Sequence, residues 1–324
     1  MSASPPDLSC LVVNWNTRQA LLELLRSISA AVGSLTTERV VIDNASSDDS
    51  VAAVRAAFPE VAVIESPENL GYTGATNRGL AASSAPFVLL LNADVRLLSG
   101  AVEEAAAYLS AHPDVGAVGL ALRDPDGCHQ ASHARFPTLR SELLIATGLG
   151  RRLLNPYFPG EREPQRTEPR EVDWITGCLM LIRREAIDEV GGMDESFWMY
   201  SEDTDWCYRL RQGGWRIVHL PSVRAIHEGG ASTSQMPVEM AAQLNRGKLR
   251  FFAKHYGTGR TTALRLLLGA VYVARAVVYR ICGALSGPGR RAFWTTAAET
   301  ATAVANVYRR GLRSEAPEPV WRPE

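Results

Sequence analysis

The chain has no pair of cysteines spaced to chelate a metal. Cys10, Cys128, Cys178, Cys207 and Cys282 are scattered and odd in number. Without a C-x-x-C spacing, neither a disulfide framework nor a zinc site is suggested. The formal net charge is −1, so there is no global footprint for nucleic acid. A Rossmann domain needs G-x-G-x-x-G after its first strand, and the corresponding stretch here reads Asn14-Trp15-Asn16-Thr17. Gly71, Gly74 and Gly79 follow the third predicted strand with the wrong spacing, and no G-x-x-x-x-G-K-[ST] occurs. A nucleotide would have to bind by another route. The N-terminus, Met-Ser-Ala-Ser-Pro-Pro-Asp, has neither the basic region nor the apolar core of a signal peptide. The expected location is therefore the reducing cytoplasm. No uncharged run in the C-terminal third approaches the roughly 20 residues that span a bilayer, and no internal repeat is evident.

What is present is the material of a large α/β domain. The hydrophobic fraction is 46% and the charged fraction 21% over 324 residues, enough for a sizeable core and an appendage. Apolar runs at Leu8–Asn14, Arg39–Asp43, Val61–Glu65 and Phe87–Leu91 alternate with helical patterns. That alternation predicts a mostly parallel sheet with right-handed crossovers. Val115–Leu122 and Trp174–Ile182 read as further strands, the second containing Gly177, and Trp215–Leu220 and Val223–His227 as two more. Between Arg123 and Arg170 the periodicity dissolves, and this long connection is expected to cover an acceptor site or to be a disordered insertion.

Three places carry chemistry. The run Phe87 to Leu91 suits a strand buried on both faces. It ends in Asn92-Ala93-Asp94, where side-chain oxygens leave the sheet at the edge that binds ligands in open α/β folds. A carboxylate there can hold a hard divalent cation, and the cation a diphosphate; the plainer alternative is that Asp94 merely starts a turn. Glu202, Asp203 and Asp205 lie within four residues, framed by aromatics. One of them could cap a helix, but three suggest more. His227 closes a strand near these acids and is a reasonable metal ligand.

With these motifs in order, the chain resembles the nucleotide-sugar glycosyltransferases of family 2, with the GT-A fold, and more narrowly the bacterial rhamnosyltransferase-like branch. The resemblance spans roughly Leu8 to Ser232. It is carried by Val13-Asn14-Trp15-Asn16, Val41-Ile42-Asp43-Asn44-Ala45-Ser46-Ser47-Asp48, Asn69-Leu70-Gly71-Tyr72, Asn77-Arg78-Gly79, Leu91-Asn92-Ala93-Asp94, Gly191-Gly192-Met193-Asp194-Glu195, Glu202-Asp203-Thr204-Asp205 and His227-Glu228-Gly229-Gly230. It implies a donor site of Asn14, Asn16, Asp43, Asn69, Gly71, Asn77, Arg78, Asn92 and Asp94, with Asp43 accepting a hydrogen bond from a pyrimidine base. It implies Mg²⁺ or Mn²⁺ held by Asp94 and His227. Asn92 departs from the family's usual Asp-x-Asp, so it binds metal through water or binds the sugar instead. Asp203 is implied as general base, with Glu202 and Asp205 orienting it or meeting the acceptor. The implied partners are a dTDP- or UDP-linked sugar, dTDP-L-rhamnose first, and a glycan or polyprenyl-linked acceptor; nucleic acid is not among them. An inactive sugar-binding module is the alternative, with Asn92 as its symptom, and the retained Asp94, Asp203 and His227 argue against it. A nucleotidyltransferase would want a glycine-rich loop after the first strand, which is missing.

The expected division is a GT-A catalytic domain over residues 1–235, a basic helical region over 236–313 and a disordered tail over 314–324. From Arg246 to Arg313 nearly every charge is basic, against the single acid Glu299. Residues 261–282 read as an amphipathic helix with Arg265, Arg275 and Arg280 on one arc and aliphatic residues on the rest. Such a helix is expected to lie on an anionic membrane surface, peripheral at the inner face of the plasma membrane, or else to pack its apolar face on the catalytic domain.

Overall fold

The computed structural model describes residues 5–162, 167–229 and 236–312. The proposed tail over 314–324, the boundary at 235 and Gly230 lie outside the described residues. In chain order the elements begin β1 (Leu8–Asn14), α1 (Arg18–Ala31), β2 (Thr37–Asp43), α2 (Ser50–Ala57), β3 (Ala62–Glu65), α3 (Gly71–Ala81), β4 (Phe87–Asn92) and β5 (Val95–Leu97). There follow α4 (Ala101–Ala111), β6 (Val115–Arg123), β7 (His129–Gln130), β8 (His133–Ala134), α5 (Leu139–Thr147) and α6 (Leu149–Leu153). Then come β9 (Arg170–Glu171), β10 (Trp174–Ile175), β11 (Leu179–Arg183), α7 (Arg184–Val190), a 3-10 turn at Glu195–Phe197, α8 (Glu202–Gln212) and β12 (Arg216–His227). Three long helices close the chain: α9 (Pro237–His255), α10 (Gly257–Leu285) and α11 (Pro288–Arg310).

The main sheet has the order β3-β2-β1-β4-β11-β6-β12-β5. β1 runs parallel to β2 and β4, and β6 parallel to β12. β11 is antiparallel to both its neighbours, β4 and β6. This reversal matters for the site. Leu179, the first residue of β11, pairs with Leu91 near the end of β4, so the chain entering β11 lies beyond the carboxyl ends of the parallel strands.

Several predicted boundaries move. The strand expected over Trp174–Ile182 is broken at Thr176–Cys178 into β10 and β11, which join different sheets. The two strands expected over Trp215–His227 are one strand with a register shift between Leu220 and Arg224, around Pro221; Pro cannot donate to the ladder and is tolerated at such irregularities. The connection between Arg123 and Arg170 is not structureless. It holds α5, which a reciprocal capping box between Thr138 and Ser141 starts, and α6.

The chain divides into two compact units, one formed by Met1–Phe136, Gly160–Trp198 and Glu202–Ser232, the other by Pro137–Pro159, Met199–Ser201 and Thr233–Glu324. In the first, α1 buries Leu21, Leu24, Leu25 and Ile28 against the sheet, the spacing of an amphipathic helix face. α3 approaches the sheet so closely that a Cβ on Gly79 would lie 2.7 Å from Ile42 Cδ1.

In the second unit the orientation of α10 overturns one expectation. Arg265 and Arg275 are half-buried and turn into the unit, while Arg280 stays exposed. Arg265 donates to the carbonyls of Tyr308 and Arg309, Arg275 to that of Ala146, and Arg280 to the Thr302 hydroxyl. These bonds satisfy carbonyls at the ends of α11 and α5 that have no partner within their own helix. The aliphatic face is the outward one: Leu266, Val273, Val277, Val278, Ile281 and Leu285 are exposed. With 29 residues and a mean hydropathy of 1.6 over its most apolar 18-residue stretch, α10 is by length and composition long and apolar enough to cross a bilayer, and only 17% of that stretch is buried.

Gly79→Val should overpack the α3–sheet contact, at a cost of about 1–3 kcal/mol. Urea unfolding would show a lower midpoint with unchanged slope, and an unchanged midpoint would refute the close contact.

Candidate active site

Beyond the ends of β1 and β2, a polar network fixes the first loops. The buried Asn14 donates to Asp43 Oδ1 at 2.9 Å and to the Ser46 hydroxyl at 3.0 Å. Asp43 Oδ2 accepts from the Ser46 backbone N–H at 2.9 Å. Asn16, at positive φ, accepts from the Ser47 N–H and donates its own backbone N–H to Ser46. Asn44 was quoted in the motif but not counted as a site residue. It donates to Asn69 Oδ1 at 2.9 Å and accepts from the Leu70 N–H at 2.9 Å, and so ties this loop to the one leading into α3. Gly71 there holds a φ of +70°, and a Cβ would meet the Trp198 carbonyl at 2.4 Å. Only glycine fits that position. Arg78 is exposed and donates to Ser66 at 3.2 Å.

Asp94 and His227 are brought together by backbone pairing. After Asp94 the chain reverses into β5, and Val95 pairs with His227 across the β5–β12 ladder. The Glu228 N–H then donates to the Asp94 carbonyl at 3.1 Å. Asp94 Oδ1 lies 3.3 Å from His227 Nε2. His227 Nδ1 pairs with Gln130 Oε1 at 2.6 Å, which assigns the proton to Nδ1 and leaves Nε2 as the ligand atom. Nε2 is buried and makes no aligned hydrogen bond. Burial opposes a charge on this imidazole, but the Asp94 carboxylate and Cys178 outweigh it and raise the pKa to about 10. Among the described residues no third His, Cys, Asp or Glu joins the pair. Two protein ligands, with the rest from phosphate oxygens and water, suit Mg²⁺ or Mn²⁺, so the donor set fits the metal. Asn92 sits half-buried at the end of β4, its backbone N–H donating to the Cys178 carbonyl at 2.9 Å.

The Thr176–Cys178 turn connects this pair to the acids. The Gly177 N–H donates to Asp203 Oδ2 at 3.1 Å, and the Gly177 carbonyl accepts from the Tyr72 hydroxyl at 2.7 Å. Asp203 Oδ1 also accepts from the Thr204 N–H at 2.6 Å. Burial raises the Asp203 carboxyl above its usual range, against the pull of the Gly177 and Thr204 donors. Glu202 is buried with Oε2 lacking a hydrogen bond. Burial first, then the Asp203 charge, pushes it well above 4.5. Two such carboxyls side by side cannot both ionise freely.

The sequence grouped Asp205 with these acids, and the structure separates it. Asp205 is fully buried and holds Arg209 at 2.9 Å. Arg209 in turn donates to the Val190 and Gly192 carbonyls, and Trp206 Nε1 to that of Gly191. Asn77 likewise spends its amide on the Met193 N–H and carbonyl and on Glu195. Both side chains pin the Gly191–Glu195 loop. Gln130 and Tyr72 were missed as site residues. Gln130 lay in the aperiodic connection and offered no signal, whereas Tyr72 stood inside a quoted motif.

Residues 9–191 match the family described as Glycosyl transferase family 2, and residues 164–228 match one described as N-terminal domain of galactosyltransferase. The chain is 33% identical over 272 residues to the N-acetylglucosaminyl-diphospho-decaprenol L-rhamnosyltransferase of Mycobacterium tuberculosis, covering 76% of this chain and 86% of that one. It is 30% identical over 142 residues to the rhamnosyltransferase WbbL of Escherichia coli, covering 44% and 52%. Among solved structures it is similar to a mannosyltransferase from Pyrobaculum calidifontis in complex with GDP-Man and Mn²⁺, with a TM-score of 0.55 and 18% identity over 95% of this chain and 88% of that one. That likeness establishes the mixed α/β GT-A architecture with its mostly parallel sheet.

The raised carboxyl of Glu202 has a thermodynamic consequence. A native pKa above the unfolded value means that the native state holds more protons, so stability falls as pH rises past 4.5. Glu202→Gln lacks that titration. Its unfolding temperature relative to wild type should climb as pH rises above 4.5, by about 2–4 °C for each kcal/mol of strain relieved. Thermal unfolding across that range checks this, and a difference that shrinks with pH would contradict it.

Proposed function

The chain belongs to glycosyl transferase family 2, and on that footing we propose that it is a metal-dependent, inverting hexosyltransferase moving L-rhamnose from dTDP-L-rhamnose to a hydroxyl of a lipid-linked acceptor in cell-envelope glycan synthesis. The observation that carries the reading is the site around the Thr176–Cys178 turn: the orphaned His227 Nε2 beside Asp94 adjoins it, and Asp203 is hydrogen-bonded to it. The rhamnosyl donor and the lipid-linked acceptor are supported by the M. tuberculosis relative, whose name states both the L-rhamnosyl transfer and a diphospho-decaprenol lipid. A UDP-linked sugar is the runner-up.

Asp94 and His227 would hold Mg²⁺ or Mn²⁺, which when bound supplies Lewis-acid neutralisation of the charge on a nucleoside diphosphate leaving group. Asp43, Asn14 and Asn16 form the base end of the donor site, Asn69, Gly71 and Arg78 line the nucleotide, and Asn92 reaches the sugar. Asn77 serves the site by holding Met193. Asp203 takes the proton of the acceptor hydroxyl as its oxygen bonds to the anomeric carbon and the bond from that carbon to the diphosphate breaks on the opposite face. A carboxyl raised by burial is a better base than a solvated one. Glu202, the preceding residue in the chain, would meet the acceptor or help to orient Asp203. Asp205 acts at one remove, through Arg209 and the Gly191–Glu195 loop. The exposed aliphatic face of α10, not its arginine arc, is the surface for peripheral association with the inner face of the plasma membrane.

Asp94 and Asp203 should fail differently. Asp94→Ala is expected to weaken metal-dependent binding of the nucleoside diphosphate as well as turnover. Asp203→Asn should leave that binding near normal and lower turnover by roughly 10²-fold or more, the scale of a lost general base. Calorimetry beside rate measurements separates them, and unchanged metal-dependent binding in Asp94→Ala would remove the metal role.

Turnover of purified protein across a panel of nucleotide sugars tests the donor. dTDP-L-rhamnose is expected to be consumed fastest with Mn²⁺ present. Consumption of a UDP-sugar with dTDP-L-rhamnose ignored would overturn that assignment and leave the reaction class intact.

A further inference from the structure

The second unit contains a groove unrelated to the site above. It encloses about 740 Å³ between α5, the Phe158–Pro159 segment and α10. Leu144, Ile145, Phe158, Pro159, Val271 and Val278 give it aliphatic and aromatic walls. Its charged lining among the described residues is Arg151 and Arg275, with no acid.

Among the described residues neither guanidinium is neutralised. Arg275 is half-buried, donates to the Ala146 carbonyl at 2.9 Å, and lies 5.3 Å from the ring centres of both Tyr272 and Tyr279. Arg151 is exposed at the rim. No carboxylate pairs with either among the described residues. α10 contains no acid, and the one acid of α5, Glu142, is already committed to Lys248 at 2.6 Å. An apolar slot carrying uncompensated positive charge is complementary to a molecule with a hydrocarbon chain and an anionic head. The groove also runs into the exposed face of α10, since Val278 belongs to both. A single free chain could fill the slot but would leave Val277, Ile281 and Leu285 uncovered, whereas a bilayer covers them together.

We propose that this groove binds one anionic phospholipid of the bilayer, its hydrocarbon chain between α5 and α10 and its phosphate against Arg151 and Arg275, and so fastens the second unit to the membrane. The proposal rests on the membrane part of the reading above and is independent of which sugar is transferred.

The test uses the full chain with a water-soluble dihexanoyl phosphatidylglycerol carrying a diazirine on its chain, so that binding is read without a bilayer. Saturable photolabelling is expected within residues 144–159 and 271–279. Unlabelled dihexanoyl phosphatidylglycerol should compete, and the phosphatidylcholine of the same length should compete far less. Ala274→Trp fills the groove from an exposed position and should abolish the labelling. Arg151→Glu should weaken it about tenfold, the loss of one charge-assisted contact. Labelling that never saturates, that phosphatidylcholine competes equally, or that survives both variants would overturn the lipid site. A concentration-dependent dimer blocked by Ala274→Trp, without lipid labelling, would assign the groove to a second copy instead. Flotation on long-chain phosphatidylglycerol vesicles is read alongside: saturable labelling without flotation overturns the membrane reading, and flotation without saturable labelling overturns the groove.

Discussion

The site depends on one strand running the wrong way. Because β11 enters the sheet antiparallel between β4 and β6, its leading turn is delivered to the edge where the parallel strands end. Had β11 been parallel, Thr176–Cys178 would lie at the opposite edge. From its actual position the turn reaches both halves of the site. The Cys178 carbonyl holds the end of β4 through Asn92, the Gly177 N–H holds Asp203, and the Gly177 carbonyl holds Tyr72. A backbone peptide is a rigid, uncharged connector, so it fixes Asp203 relative to the end of β4 without adding a competing charge.

Electrostatics then divides the acids by environment. Asp94 stands beside an imidazole and gains from a positive partner. Asp203 is raised by burial, and Glu202 by burial and the Asp203 charge. Asp205, three residues from Glu202, has Arg209 and becomes a clamp. Four carboxylates of similar intrinsic acidity thus acquire three different electrostatic environments. The strain in the neighbourhood fits this: Trp198, Tyr200 and Ser201 all hold positive φ immediately before α8, a conformation that persists where the surrounding structure imposes it.

The second unit shows how an amphipathic pattern can be read backwards. Arginines on one arc and aliphatics on the other predict a charged outer face. Here Arg265 and Arg275 find helix-terminal carbonyls inside the unit, and those carbonyls need donors. The hydrophobic surface is left outside. The periodicity was visible in the sequence; which arc faces inward was not, because that depends on where α5 and α11 end.

Local order was legible wherever periodicity decided it. β1 and α1 begin and end where the pattern of Leu8–Asn14 and Arg18–Ala31 places them, since burial of one face dominates the energetics of such segments. The motif residues Asn14, Asp43 and His227 fall at strand ends by the same logic, and Asp94 in the turn between β4 and β5. The sequence could not show that Asp94 and His227 meet, because they are joined through the β5–β12 register. Nor could it show that Asp205 pairs with Arg209 while Asp203 pairs with Gly177, or that Gln130 orients His227 from an aperiodic stretch. Each of these is a long-range or orientational fact. Residue type and spacing determine which segments become strands and helices. Strand direction and side-chain partnership are settled only when those segments compete for the same interior, and it is there that carboxylates of one kind acquired different partners: an imidazole for Asp94, the Gly177 N–H for Asp203 and a guanidinium for Asp205.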